Sequence, residues 1–184
     1  MLLLFLLLLA ALLLWLWNTR YPPVREYRLF LSEDRKSAEL PWDLVSEAWT
    51  ESDVRQRFNG YPIRCDANYT EAPHITRVCA VDLRSLNGVP TMYVNFLFAG
   101  ERLDRVATAV PWWSHTKGLL ALKRTHGDPL VTQDQRRAGV RLHGWKLQGG
   151  GFLIYNRDRG GNPLEFNSTQ WLGPSACAPK ACIQ

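Results

Sequence analysis

The pattern of apolar positions begins with an uninterrupted run. Sixteen apolar residues follow Met1, and the run ends in Trp15, Leu16 and Trp17. A helix of that length reaches about 25 Å, just short of a hydrocarbon core of about 30 Å. Tryptophan suits a membrane interface, whereas a signal cleavage site needs small residues. Residues 1–17 are therefore predicted to be a transmembrane anchor, and a cleaved signal peptide is the alternative.

Residues 18–40 contain few apolar positions. Pro22 and Pro23 precede a dense charged patch, and only Glu26–Leu31 alternates apolar and polar residues as a short strand does. The sequence thus predicts a tether with at most one short strand.

The segment Pro41–Phe58 has the period of a helix. Apolar residues recur at i, i+3 and i+7 from Trp42, and Thr50 with Asp53 three residues later is a second helix-start signal. We expect two short helices, or one helix with a break, ended by Gly60.

Strand-like alternation follows. Three runs are predicted to be strands: Ile75–Leu83, Thr91–Phe98 and Arg102–Val110. Turns at Asn87-Gly88 and at residues 99–101 would join them into an antiparallel meander with one buried face.

A second helix and a second set of strands complete the pattern. Ser114 can cap a helix that runs to His126 and is closed by Gly127. After a polar link that includes Gln133 to Arg137, strands are predicted at Val140–Gln148, Phe152–Asn156 and Pro163–Trp171, with a hairpin turn at Gly149-Gly150-Gly151.

These elements predict an α+β fold in which helices pack on one face of an antiparallel sheet. Two αβ units, residues 41–111 and 112–172, would follow the tether, and residues 173–184 would form a disulfide-stapled tail. Because a unit of about 60 residues buries little apolar surface alone, both are expected to share one core.

The predicted core residues are Val94, Phe96, Phe98, Leu147, Phe152 and Ile154, covered by helices at Val54 and Leu122. The opposite face is predicted to be open and to carry Tyr93, Asn95, Lys146, Gln148 and Tyr155.

Cysteine usage indicates the compartment. The four cysteines form two close pairs, Cys65 with Cys79 and Cys177 with Cys182, and neither pair has the spacing of a zinc site. Two disulfides and an oxidising compartment are predicted. The arginines after the apolar run favour the opposite, cytoplasmic orientation. We give more weight to the cysteines and predict a domain in the periplasm, held at the inner membrane or secreted after cleavage.

Charge and aromatic content limit the classes of molecule that this protein is expected to bind. The net charge of +5 is scattered rather than massed, which argues against nucleic-acid binding. Trp112 and Trp113 are adjacent, and with Arg102 and Arg105 on the preceding strand they form a candidate partner surface. The alternative is that both rings cover the open end of the core.

No catalytic or metal-binding pattern is present in the sequence. The four histidines, His74, His115, His126 and His143, have no metal-ligand spacing, and no nucleophile motif occurs. No catalytic residue and no cofactor are therefore predicted. The rival hypothesis is a small periplasmic hydrolase, which convergence of His115, His126 or His143 with a carboxylate in one cleft would favour.

One motif resembles a known family. Thr50, Val54, Phe58, Gly60 and Pro62 resemble the pattern T-x-x-x-V-x-x-x-L-G-x-P of SmpA/OmlA-like domains, with one extra residue before the glycine. That family includes a small lipoprotein component of the outer-membrane barrel-assembly machinery, and its two-repeat relatives include the β-lactamase inhibitor proteins. The resemblance implies helices on one face of an antiparallel sheet and function by binding another protein. No cysteine directly follows the apolar run, so a lipid anchor is not implied.

The prediction from sequence is therefore a membrane-anchored periplasmic binding or accessory protein of the bacterial envelope. It would not be an enzyme. Its partners would be the membrane, through residues 1–17, and another envelope protein.

Overall fold

The computed structural model describes residues 2–18, 22–67, 72–135, 140–158, 166 and 169–176. They belong to two compact units, Met1–Asp34 and Arg35–Gln184. The first unit contains two helices, and the second contains the strands and the remaining helices. The fold is α+β with a large antiparallel sheet, as the sequence predicts.

Helix α1 (Leu2–Asn18) is formed by the apolar run. No helix in the described part of the chain combines the length and the apolar character needed to cross a membrane. The helix prediction is confirmed, but the transmembrane part of that prediction is not supported. The 17 residues of α1 extend about 26 Å, which is shorter than a hydrocarbon core of about 30 Å.

Helix α2 (Pro22–Ser32) occupies the predicted tether. The strand prediction at Glu26–Leu31 is wrong. Val24, Tyr27 and Leu31 stand at i, i+3 and i+7, which fits one face of a helix as well as part of a strand. Proline is also favourable in the first turn of a helix, where its missing N–H costs nothing.

Helix α3 (Glu51–Arg57) begins at the predicted capping signal. Thr50 N donates to Asp53 Oδ2 at 2.7 Å, and Asp53 N donates to Thr50 Oγ1 at 3.4 Å. This reciprocal pair is a capping box. Before it, Trp42–Leu44 forms a separate 3-10 turn. The predicted break before Thr50 is confirmed, but the first segment is a three-residue 3-10 turn and not a helix.

Helix α4 (His115–His126) ends at Gly127, whose φ is +78°. Ser114 occupies the N-cap position, but its side chain makes no capping hydrogen bond. A 3-10 turn at Trp112–Ser114 precedes the helix, and Ser114 N donates to the Pro111 carbonyl at 2.8 Å. The helix prediction is confirmed, and the capping role of the Ser114 side chain is not.

The described residues form eleven strands: β1 (Ser37–Ala38), β2 (Ile63–Asp66), β3 (Arg77–Asp82), β4 (Ser85–Leu86), β5 (Val89–Pro90), β6 (Tyr93–Ala99), β7 (Arg102–Ala109), β8 (Val131–Gln135), β9 (Val140–Lys146), β10 (Phe152–Asp158) and β11 (Thr169–Leu172). Eight of them form one sheet in the order β2-β3-β6-β7-β11-β10-β9-β8, with every neighbouring pair antiparallel. Strands β1, β4 and β5 form a small second sheet. The predicted turn joins β4 to β5, with φ of +51° at Asn87 and +72° at Gly88.

The order of strands divides the large sheet into two similar halves. We call residues 41–111 the first half and residues 112–172 the second half. In the first half α3 precedes β2, β3, β6 and β7, and in the second half α4 precedes β8 to β11. The last strands of the two halves, β7 and β11, are antiparallel neighbours at the centre of the sheet.

One core serves both halves. Register places one row of side chains on the same face across six strands, namely Cys79, Phe96, Val106, Trp171, Leu153 and Trp145. The Phe58 ring after α3 contacts Phe96 with centroids 5.4 Å apart. The Tyr155 hydroxyl, on the same face, donates to the His115 carbonyl of α4 at 2.6 Å. Both helices therefore lie over one face of the sheet, as predicted.

Two strand predictions need correction. In β10 the buried residues are Leu153 and Tyr155, whereas Phe152 and Ile154 are half-buried on the other face. The run Phe152-Leu-Ile-Tyr is apolar at both parities, so alternation does not identify its inner face. The predicted polar link is instead strand β8 over residues 131–135, at the edge of the sheet. Polar side chains are typical of an edge strand, which must not pair with another chain.

Candidate functional site

The adjacent tryptophans lie at the junction between the two halves. Trp112 and Trp113 occupy the 3-10 turn after β7, and 46% and 47% of their surfaces are exposed. Their ring centroids are 6.2 Å apart with an interplanar angle of 80°. This edge-to-face arrangement is favourable for aromatic pairs. Neither ring is sealed inside the core, so the pair offers a large apolar surface to solvent.

The two arginines of the predicted partner surface lie elsewhere. Arg102 begins β7, and its Nη2 donates to Glu47 Oε2 at 2.8 Å. Arg105 is half-buried on the face opposite the helices, since it pairs with Leu97 and Leu172. An eight-residue strand separates the start of β7 from the tryptophans by about 25 Å. The structure therefore does not bring Arg102 and Trp112 into one patch.

The predicted open face holds three of its candidate residues. Tyr93 and Asn95 are half-buried there, and Lys146 is exposed in the row of Phe152, Leu172 and Arg105.

Tyr155 is a correction. It is fully buried on the helix side, because the odd-numbered residues of β10 face the core. An added Cβ at Gly118 of α4 would lie 3.1 Å from the Tyr155 hydroxyl, so the glycine makes room for this ring.

The disulfide prediction is confirmed for the first pair. Cys65 and Cys79 are bonded and stand opposite each other on β2 and β3. The bond ties the edge strand β2 to the rest of the sheet. Cys177 and Cys182 lie outside the described residues.

A charged cluster surrounds this disulfide. Arg55 Nη2 lies 3.2 Å from Cys65 Sγ, and both Arg55 and Arg77 donate to the Glu51 carboxylate. These bonds, with Arg77 contributing most, hold the pKa of Glu51 below its ordinary value. Glu51, Cys65 and Cys79 also come within 4.8 Å of one another at their ligand atoms. With the two sulfurs bonded to each other, the group offers a metal ion only the carboxylate.

In the described part of the chain, His126, His143 and His115 contact different groups. His126 Nδ1 lies 3.8 Å from Asp43 Oδ2. His143 Nδ1 instead lies 3.3 Å from the Thr132 hydroxyl. The His115 carbonyl, rather than its ring, accepts the Tyr155 hydrogen bond. The 3.8 Å between His126 Nδ1 and Asp43 Oδ2 exceeds hydrogen-bond length.

His126 and Asp43 border a cavity of about 390 Å³ in the second unit. The cavity lies between α4, the Trp42–Leu44 turn and the β4–β5 hairpin. Asn87 fixes one wall, because its side chain accepts from Leu40 N at 2.7 Å and donates to Leu40 O at 2.9 Å. Asp43 is oriented by Gln148 N, which donates to Asp43 Oδ1 at 3.2 Å.

The sequence reasoning did not identify Asp43. Its partner Gln148 is 105 residues away, so no local spacing links the two. The available signal is the glycine triplet, which is the predicted hairpin turn between β9 and β10. An added Cβ at Gly149 would collide with the Asp43 carbonyl. Gly149 thus marks a close approach of the Asp43 backbone that the turn alone does not explain.

Comparisons of this chain with protein-family models, with curated proteins and with solved structures found no match. The resemblance of the Thr50–Pro62 motif to SmpA/OmlA-like domains therefore stays a prediction.

Proposed function

We propose that this chain is an exported binding protein of the bacterial envelope that acts on another envelope protein without catalysis. The observation that carries the proposal is the exposed Trp112–Trp113 pair. Tryptophan is among the residues most enriched at binding hot spots, because its large surface gains much free energy when a partner covers it. The pair sits on a connection between two packed halves, and such connections commonly carry function.

The surroundings of the pair support a preformed surface. Pro111 and Ser114 flank the tryptophans and are buried. Leu119 and Leu122 of the following helix belong to the buried residues of the second unit. The turn is therefore held at both ends by packed structure, and little conformational entropy is lost when a partner binds.

The Cys65–Cys79 disulfide supports an oxidising compartment. In this proposal residues 1–17 direct export and the domain faces the periplasm. Protease added to spheroplasts should degrade the domain. Full protection in intact spheroplasts, lost on lysis, would contradict the assigned compartment.

Site-specific photocrosslinking in cells tests the binding surface. Benzoylphenylalanine placed at Trp112 or Trp113 should give a discrete adduct with one envelope protein. The same residue placed at Arg124, which is exposed on α4, is the matched control and should give no such adduct. Equal adducts from all three positions, or none from the tryptophan positions, would contradict the proposal.

The hydrolase hypothesis keeps one supporting observation, the His126–Asp43 pair at the cavity. Three of the four threonine hydroxyls that line this cavity donate to backbone carbonyls. They are Thr91 Oγ1 to Val89 O at 2.9 Å, Thr108 Oγ1 to Thr169 O at 3.3 Å and Thr125 Oγ1 to Ala121 O at 3.1 Å. None of these three bonds holds a hydroxyl against His126 as an activated nucleophile would be held. Binding is therefore the better supported function.

A further inference from the structure

The cavity beside α4 is separate from the tryptophan surface, since neither Trp112 nor Trp113 lines it. Its volume of about 390 Å³ lies within the range of about 300 to 1,000 Å³ that small-molecule sites occupy. It is bounded by α4, the Trp42–Leu44 turn and the β4–β5 hairpin, and residues of β7 and β11 also line it.

The floor of the cavity is apolar and buried. Its main apolar contributors are at most 8% exposed: Leu40, Leu86, Val89, Val110 and Leu122. Thr108 and Thr169 also line the floor, and the Thr108 hydroxyl is bonded to the backbone of Thr169, since it donates to Thr169 O and accepts from Thr169 N. The floor therefore favours an apolar group that asks for no hydrogen bond.

The rim of the cavity is acidic. Glu39 is exposed there, and 42% of the Asp43 side chain is exposed. The described lining residues include no lysine or arginine. An anionic ligand would meet two carboxylates and no lysine or arginine of the lining, whereas a cation would be attracted by both carboxylates. The negative charge of the rim thus favours a ligand of positive charge.

We infer that this cavity binds a small apolar amine, with its hydrocarbon body on the buried floor and its ammonium group at Asp43 and Glu39. Asp43 is the better placed of the two carboxylates, because Gln148 N holds one of its oxygens. The other oxygen faces His126 Nδ1 at 3.8 Å and remains within reach of a ligand at the rim. This site goes beyond the proposed docking of a protein partner and does not depend on it.

Three probes of the same shape test the inference on the full chain: 2-phenylethylamine, 2-phenylethanol and 3-phenylpropanoate. Methyl resonances of Val89, Val110 and Leu122 report binding by NMR. The amine should give saturable shifts at these methyls, and the carboxylate should bind about tenfold more weakly or not at all. Absence of shifts with the amine at millimolar concentration, or equal binding of amine and carboxylate, would overturn the inference.

Matched variants assign the charge effect. Asp43→Asn should weaken the amine about three- to tenfold and leave the alcohol unchanged, because only the amine carries charge. Asp128→Asn is the control, since Asp128 lies just past α4, is 88% exposed and does not line the cavity. Equal effects of the two substitutions would overturn the assignment of Asp43.

Ala121→Phe, which places a ring at the cavity wall, should abolish binding of all three probes. Undiminished binding by this variant would place the site elsewhere.

Discussion

The two halves of the sheet have the same order of elements but are stabilised by different means. In both, a glycine of positive φ follows the helix and stands two residues before a proline, with φ of +82° at Gly60 and +78° at Gly127. Gly127 is the C-cap of α4, whereas α3 already ends at Arg57 with Phe58 as its C-cap. The first half adds a capping box and the Cys65–Cys79 disulfide. The second half has neither among its described residues, and α4 has 12 residues where α3 has seven.

The difference shows how a short helix and an edge strand can be secured. An isolated helix of about seven residues is unstable in water, so α3 depends on its cap and on Val54 and Phe58 in the core. Helix α4 is longer and packs closely on Tyr155 through Gly118. The second half, which has no described disulfide, begins with the exposed tryptophans, and the cavity is lined by residues of both halves.

The largest effect is expected from Phe96→Ala. Phe96 is fully buried and contacts Phe58, so its truncation should reduce the free energy of unfolding by about 3 to 5 kcal/mol. Urea unfolding should still show one transition, because the core is shared. Phe152→Ala is the control, since Phe152 lies half-buried on the other face and should cost clearly less. Two transitions in the variant would contradict the shared core.

Removing the disulfide should affect the first half most. Replacing both Cys65 and Cys79 by alanine opens a covalent loop with a sequence separation of 14, which should cost about 3 kcal/mol in the chain-entropy model. Amides of β2 should exchange with solvent faster than those of β8, the other edge. Equal acceleration of amide exchange in β2 and β8 would show that the disulfide does not stabilise the first half in particular.

The two helix starts should respond differently to alanine. Thr50→Ala removes the capping box of α3 and should cost about 1 kcal/mol. Ser114→Ala removes no side-chain capping bond and should cost less than half as much. Thermal unfolding of the two variants measures both, and a larger loss for Ser114→Ala would contradict the capping difference.

The smallest effect is the pH dependence from Glu51. Arg77 and Arg55 hold the folded pKa of Glu51 below its ordinary value of 4.5. The stabilisation is therefore complete above that pH and is lost as the pH falls through the lower folded pKa. Glu51→Gln should reduce the loss in free energy of unfolding that occurs as the pH falls below 4.5. The same reduction is expected for Arg77→Gln, and an unchanged loss in both variants would refute the assignment.

The predictions that succeeded came from local chemistry. The capping signal at Thr50, the Asn87-Gly88 turn and the Cys65–Cys79 pair each depend on residues that are close in sequence or on adjacent strands. The spacing of apolar residues did not predict the structure of two segments. In β10 odd- and even-numbered residues are both apolar, so the buried face cannot be identified from alternation. In α2 the same apolar residues fit the spacing of a helix and of a strand.

The candidate sites required long-range information. Exposure of both Trp112 and Trp113 follows from how the halves meet, and the sequence left open whether the rings cover the core. The cavity depends on contacts such as Gln148 with Asp43, which no spacing reveals. Tyr155 was misplaced because its inward direction is set by pairing with β9 and β11.

The central claim is that one core joins the halves and thereby holds the tryptophan surface at their junction. Native-state hydrogen exchange of the wild-type chain tests it most directly. The buried-strand amides of Val81 in β3 and Trp145 in β9 should open with the same free energy, equal to that of global unfolding. A second half that opens at a free energy lower by more than about 2 kcal/mol would contradict a shared core, since local opening then precedes global unfolding.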